Sequence, residues 1–76
     1  MSYNFDWRIK TRHFEINIDI DKCYGYFKHD EEGEDWGVGL WFSPIDDTLE
    51  LVDYGGMFEL PREVESALKS FGVIIE

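Results

Sequence analysis

The segment FEINIDI, from Phe14 to Ile20, alternates without a break: Phe14, Ile16, Ile18 and Ile20 fall on one side, Glu15, Asn17 and Asp19 on the other. A period of two marks a strand with one buried and one wet face. Upstream, Phe5, Trp7 and Ile9 also alternate, but in odd-numbered phase. A one-residue slip turns a strand over, so a bulge or short turn between Lys10 and His13 has to reconcile the two runs. After a polar turn at Asp21 and Lys22, CYGYFKH (Cys23 to His29) reads as a second strand. WGVGLWF (Trp36 to Phe42) reads as a third, with Trp36, Val38, Leu40 and Phe42 on one face and Ser43-Pro44 as its end. Between them DEEGED, with five carboxylates around Gly33, suits a hairpin loop. Asp46-Asp47 lies in the next turn, and TLELVDY (Thr48 to Tyr54) is a fourth strand stopped by Gly55-Gly56.

The period then changes. Leu60-Pro61 suits the start of a helix, because proline is tolerated in the first helical position. Val64, Ala67, Leu68 and Phe71 follow as an apolar stripe at helical spacing. Glu63 in the first turn and Lys69 in the last oppose the helix dipole, Glu65 and Lys69 stand four apart, and Gly72 is a natural stop. Val73 to Ile75 is too apolar to be left in water and adds a short strand or plugs one end of the core. The predicted fold class is α+β: an antiparallel sheet of about four strands with one C-terminal helix packed on one face. Residues 1–76 form a single acidic domain.

Length and composition constrain this picture. A chain of 76 residues has room for one core, and 43% hydrophobic and 17% aromatic residues supply it. No run approaches the roughly 18 apolar residues of a membrane span, and MSYNFDWRIK lacks the apolar centre of a signal peptide. Cys23 is the only cysteine, so no internal disulfide forms, which fits a reducing, cytoplasmic setting. A net charge of −10 repels phosphate backbones and anionic lipids, which excludes direct nucleic-acid and membrane binding. It favours encounter with basic surfaces, although acidic proteins are often acidic only for solubility.

Candidate chemistry is sparse. Counted from Asp30, the EF-hand positions that require glycine and a bidentate glutamate hold Asp35 and Trp41, so DEEGED is not a calcium loop. His13 and His29 lack the spacing of a zinc site. Cys23 reads as a small hydrophobe on a strand, and Gly37 and Gly39 as backbone room for a bulky neighbour or a bulge. No catalytic residue, metal ligand or cofactor is assigned, and the chain is read as a binding protein, not an enzyme.

Two features stand out. Between Lys28 and Arg62 there are ten carboxylates and no lysine or arginine: Asp30, Glu31, Glu32, Glu34, Asp35, Asp46, Asp47, Glu50, Asp53 and Glu59. Arg8, Lys10 and Arg12 gather three of the seven cations within five residues, so the protein is expected to be electrically polar. The second feature is an aromatic excess on the wet face, where Tyr24, Tyr26 and Trp41 point away from the helix and Trp7 is a candidate to join them. Such residues are enriched in binding hot spots. A dimer interface, or cover by the N-terminal segment, is the alternative use of the same patch.

The order of the blocks GYFKHD at 25 to 30, GLWF at 39 to 42, LVDYGG at 51 to 56 and LPREV at 60 to 64 resembles small proteins carried by phages and prophages. That group includes anti-CRISPR proteins, small and often acidic, which bind host interference complexes where nucleic acid would go. By that analogy the acidic stretch imitates a phosphate backbone, and the partner is a host protein with a basic nucleic-acid-binding surface, such as a CRISPR-Cas effector. The resemblance transfers no functional residues, so the nominated carboxylates rest on charge pattern alone. Rival readings are an immunity protein or antitoxin capping a basic nuclease or toxin, and a structural phage component that self-assembles through Tyr24, Tyr26 and Trp41.

Overall fold

The computed structural model describes residues 5–30, 37–56 and 59–75. Five strands, β1 (Trp7–Lys10), β2 (Phe14–Asp19), β3 (Tyr24–His29), β4 (Val38–Ile45) and β5 (Thr48–Tyr54), are followed by the helix α1 (Arg62–Ser70). The strands lie in chain order, β1-β2-β3-β4-β5, each antiparallel to the next. The coarse α+β expectation holds, and the odd-phased N-terminal run supplies the fifth strand. The phase conflict is resolved by a tight turn: the Thr11 amide donates to the Phe14 carbonyl at 2.9 Å, and the Phe14 amide to Thr11 Oγ1 at 2.9 Å. Trp7 thereby stands opposite Ile18, and Ile9 opposite Ile16. Residues directly opposite share a face. Trp7 therefore faces the helix, with its ring 5.7 Å from that of Phe71, and does not join the outward aromatics.

The alternating apolar positions of the sheet meet the helix stripe in one core. Ile9, Ile16, Ile18, Phe27, Val38, Leu40, Phe42 and Leu49 are buried with Val64 and Leu68 of α1 and Val73 beyond it. Burying each such aliphatic side chain contributes roughly 1.5–3 kcal/mol. Pro61, expected in the first helical position, is instead the N-cap of α1, and the helix begins one residue later at Arg62. At the other end the Gly72 amide bonds to the Lys69 carbonyl and the Val73 amide to that of Leu68, each at 3.0 Å. This is a Schellman stop, and Gly72 takes the left-handed φ of +90° that it requires. The tail then makes the short strand contact expected of it. Ile74 bridges Glu50 in parallel, its amide bonding to Leu49 and its carbonyl to Leu51, each at 2.9 Å.

Three local expectations are corrected. First, β4 runs through Ser43-Pro44 to Ile45. Its pairing with β3 ends at Trp41, so from Ser43 onward β5 is its only strand partner among the described residues. Leu49, opposite Pro44, turns its carbonyl outward to Ile74, so this pair exchanges no ladder bonds and the missing proline N–H costs nothing. Second, Cys23 precedes β3 as a turn residue with φ +54°, held by its amide on the Ile20 carbonyl at 3.3 Å. Third, Asn17 and Asp19 are buried although they point away from the helix. Phe5 and Asp6 lie against this face: Phe5 packs edge-on against Tyr26, the partner of Asn17, at 5.3 Å, and the Asp6 carboxylate comes within 4.8 Å of that of Asp19. No helix among the described residues is long and apolar enough to cross a membrane.

Candidate functional site

The strand order sorts the charges on the sheet face opposite the helix. Arg8 and Lys10 stand on β1, opposite Asn17 and Glu15. Tyr24, Tyr26 and Lys28 follow on β3, then Trp41 and Ser43 on β4, then Asp53 and Glu50 opposite those two on β5. Four strand spacings of about 4.8 Å separate the cationic edge from the acidic one, roughly 19 Å. The expected electrical polarity is thus laid out from one sheet edge to the other.

The nominated carboxylates divide into groups. Asp46 and Asp47 are exposed in the two-residue turn between β4 and β5, where Asp46 takes φ +50°, a conformation aspartate tolerates better than most residues. Asp47 to Asp53 spans about 20 Å at the usual rise, with Glu50 between. Asp30 is drawn elsewhere: Lys10 Nζ lies 2.8 Å from its carboxylate, and its amide bonds to the His13 carbonyl at 2.8 Å. That neighbour raises the Lys10 pKa, chiefly through the hydrogen bond to Asp30. Glu59 is exposed in the connection to α1. Glu31, Glu32, Glu34 and Asp35, and Trp36 with its expected face, lie outside the described residues.

The aromatic residues also divide. Tyr26 lies under Phe5, whereas Tyr24 meets Trp41 edge-on with ring centroids 5.5 Å apart. Trp41 is 43% exposed. Its indole reclines along β4 over two glycines. A Cβ on Gly39 would stand 2.8 Å from Trp41 Cη2, and one on Gly55 would stand 3.5 Å from Cζ3. Gly39 is therefore the backbone room for a bulky neighbour that the spacing implied. The Gly55 amide bonds to the Gly39 carbonyl at 2.8 Å and fixes the floor on which the ring rests.

A register shift between Trp41 and Phe42 makes Val52 an extra residue on β5, and it is 56% exposed. Beyond the bulge the Tyr54 amide is capped by Asp53 Oδ1 at 2.9 Å. A shallow groove of about 400 Å³ runs along this edge, lined by Glu50 to Tyr54 and Ile75. The bulge, the groove and the reclining tryptophan carry no separate sequence signal beyond the glycines at 39 and 55.

Two polar clusters lie away from this edge. Glu63 of α1 accepts the Thr11 hydroxyl, the His13 amide at 2.7 Å and His13 Nδ1 at 3.0 Å. The Thr11 hydrogen bond, followed by those from His13, lowers its pKa to about 2. This carboxylate ties the helix to the β1–β2 turn. Asp6, Asp19 and Asp21 bring carboxylate oxygens within 4.8 Å of one another, and Asp19, 1% exposed, accepts the Lys22 amide at 3.0 Å to close the β2–β3 turn. Compared with protein-family models, curated proteins and solved structures, the chain gives no match.

Proposed function

We propose that this protein is a phage-encoded inhibitor, of the kind represented by anti-CRISPR proteins, that works in the host cytoplasm. It occupies a basic nucleic-acid-binding surface on a host protein, and it binds without catalysing a reaction. The observation that carries this reading is the sorting of charge across the sheet, which places Asp46, Asp47, Glu50 and Asp53 along β5 and its turn, at the edge away from Arg8 and Lys10. A surface of one sign steers encounter with a surface of the other and specifies orientation.

From Asp46 to Asp53 the four carboxylates spread over roughly 23 Å, a mean spacing of about 8 Å, against one charge per 3.4 Å along a single DNA strand. The edge is a sparser anion than nucleic acid, so Trp41 and Tyr24 add contact area that charge does not. Less aromatic surface remains for self-assembly, because Phe5 covers Tyr26. The test is capture from host lysate on the immobilised protein, followed by a salt titration and competition with nucleic acid. The reading expects a nucleic-acid-binding protein that is released both by salt and by its own nucleic-acid ligand. Retention indifferent to both, or recovery of no such protein, refutes it.

A further inference from the structure

We propose that Trp41 and Asp53 form an arginine-reading site, in which a guanidinium of the basic partner stacks on the indole and pairs with the carboxylate; the inference rests on the acidic-edge reading above. Trp41 and Asp53 stand directly opposite each other on β4 and β5, so their side chains rise from the same face about 5 Å apart at the backbone. The indole is already immobilised. One ring face is seated on Gly39 and Gly55, where no Cβ intrudes, and Tyr24 braces it edge-on at 5.5 Å. The exposed part of the ring is thus a fixed platform, and little side-chain freedom remains to be lost on binding.

The carboxylate is fixed too. Asp53 Oδ1 accepts the Tyr54 amide, which orients the group beside the ring and leaves its second oxygen to pair with a cation. Glu50 lies farther along β5 on the same face. A cation over the indole is attracted by the ring quadrupole and by these carboxylates together. Guanidinium suits the pair better than ammonium. It is planar, stacks flat on an aromatic face, is weakly hydrated, and can keep its edge hydrogen-bonded to a carboxylate while stacked. The site therefore supplies side-chain selectivity that the charge of the edge alone does not.

The test uses acetylated, amidated oligo-arginine and oligo-lysine peptides of equal length, titrated into the full chain at one low salt concentration. Binding is read from peptide anisotropy and from the Trp41 indole N–H in two-dimensional NMR. The expected result is an affinity for oligo-arginine about 3- to 5-fold above that for oligo-lysine, with the Trp41 indole resonance displaced. Trp41→Ala abolishes the preference, bringing the affinity for oligo-arginine down to that for oligo-lysine, as removal of the stacking platform requires. Gly39→Val, which displaces the ring without removing it, reproduces that loss. Equal, salt-sensitive binding of both peptides by the native protein, or a preference that survives Trp41→Ala, overturns the arginine site while leaving the acidic edge standing. Failure of both peptides to bind at low salt overturns the site and the reading beneath it.

Discussion

Gly25 lies in β3 between Ile18 of β2 and Leu40 of β4, at the middle of the sheet. Replacing it with alanine puts a Cβ 2.4 Å from the Asn17 carbonyl oxygen and 3.0 Å from Ile18 Cα, where ordinary contact begins at 3.4 Å. The obstruction is backbone, so no rotamer change relieves it, and β2 and β3 must part by about 1 Å. Overpacking of this kind costs about 1–3 kcal/mol. Against it stands the about 0.5–1 kcal/mol by which alanine is favoured over glycine in a strand interior. The net expectation is a loss of about 1–2 kcal/mol, and a fall in thermal midpoint of about 5–15 °C for a domain of this size. Gly37→Ala is the control, since a Cβ there meets only the Tyr26 ring at 3.5 Å and the Phe27 carbonyl at 3.7 Å. Thermal unfolding followed by circular dichroism compares the two. Equal midpoints for Gly25→Ala and Gly37→Ala would refute the close approach of β2 to β3.

Further outcomes follow from the core and from the helix tie. Leu68→Ala removes a fully buried side chain of α1 and is expected to cost about 2–5 kcal/mol, read from urea unfolding; a loss below about 1 kcal/mol would mean that the helix does not close the core as described. Glu63 has a folded pKa of about 2 against an ordinary 4.5, so the unfolded chain takes up its proton first. Its stabilisation is complete above about pH 4.5 and fades as pH falls toward 2. Melting across that range should show a pH-dependent loss that Glu63→Gln diminishes, and identical profiles for the two proteins would contradict the tie to Thr11 and His13. Gly72→Ala forces alanine to a φ of +90° and is expected to cost about 1 kcal/mol or more, measured in the same melts; no change would remove the Schellman stop.

Much of this fold is legible in period alone. FEINIDI becomes β2, Phe14–Asp19, because Phe14, Ile16 and Ile18 recur on one face. TLELVDY becomes β5 although its apolar set changes phase at Val52, where the bulge returns Tyr54 to the face of Leu49 and Leu51. What period does not carry is which neighbour a strand has at each point. Ser43-Pro44 has the chemistry of a strand end, yet β4 passes through it because β3 ends alongside and no N–H is needed there. The sequence makes Trp7 a candidate for the outward aromatics, and the turn at Thr11 to Phe14 instead sets it against Ile18 on the helix face. Asn17 and Asp19 look like wet positions in an alternating strand, yet they are buried on a face that Phe5 and Asp6 also occupy.

The candidate site shows the same division. The absence of cations between Lys28 and Arg62 is a property of the sequence. That Asp30 is drawn to Lys10, while Glu50 and Asp53 stand across from Ser43 and Trp41, depends on pairing and on the bulge at Val52. In the sequence Tyr24, Tyr26 and Trp41 share one facing, and only the packing separates Tyr26 under Phe5 from the exposed Trp41.

The claim that the β5 edge, and not total acidity, is the recognition surface is tested most directly by two triple variants with equal change in net charge. One, Asp47→Asn with Glu50→Gln and Asp53→Asn, neutralises the edge; the other, Asp6→Asn with Asp21→Asn and Glu65→Gln, neutralises carboxylates elsewhere. Their affinities for the captured host partner are measured at one salt concentration. The account predicts a loss of about tenfold or more for the edge variant and less than about twofold for the other, as contact charges and remote charges differ. Equal losses in both variants, or no loss in either, would contradict it.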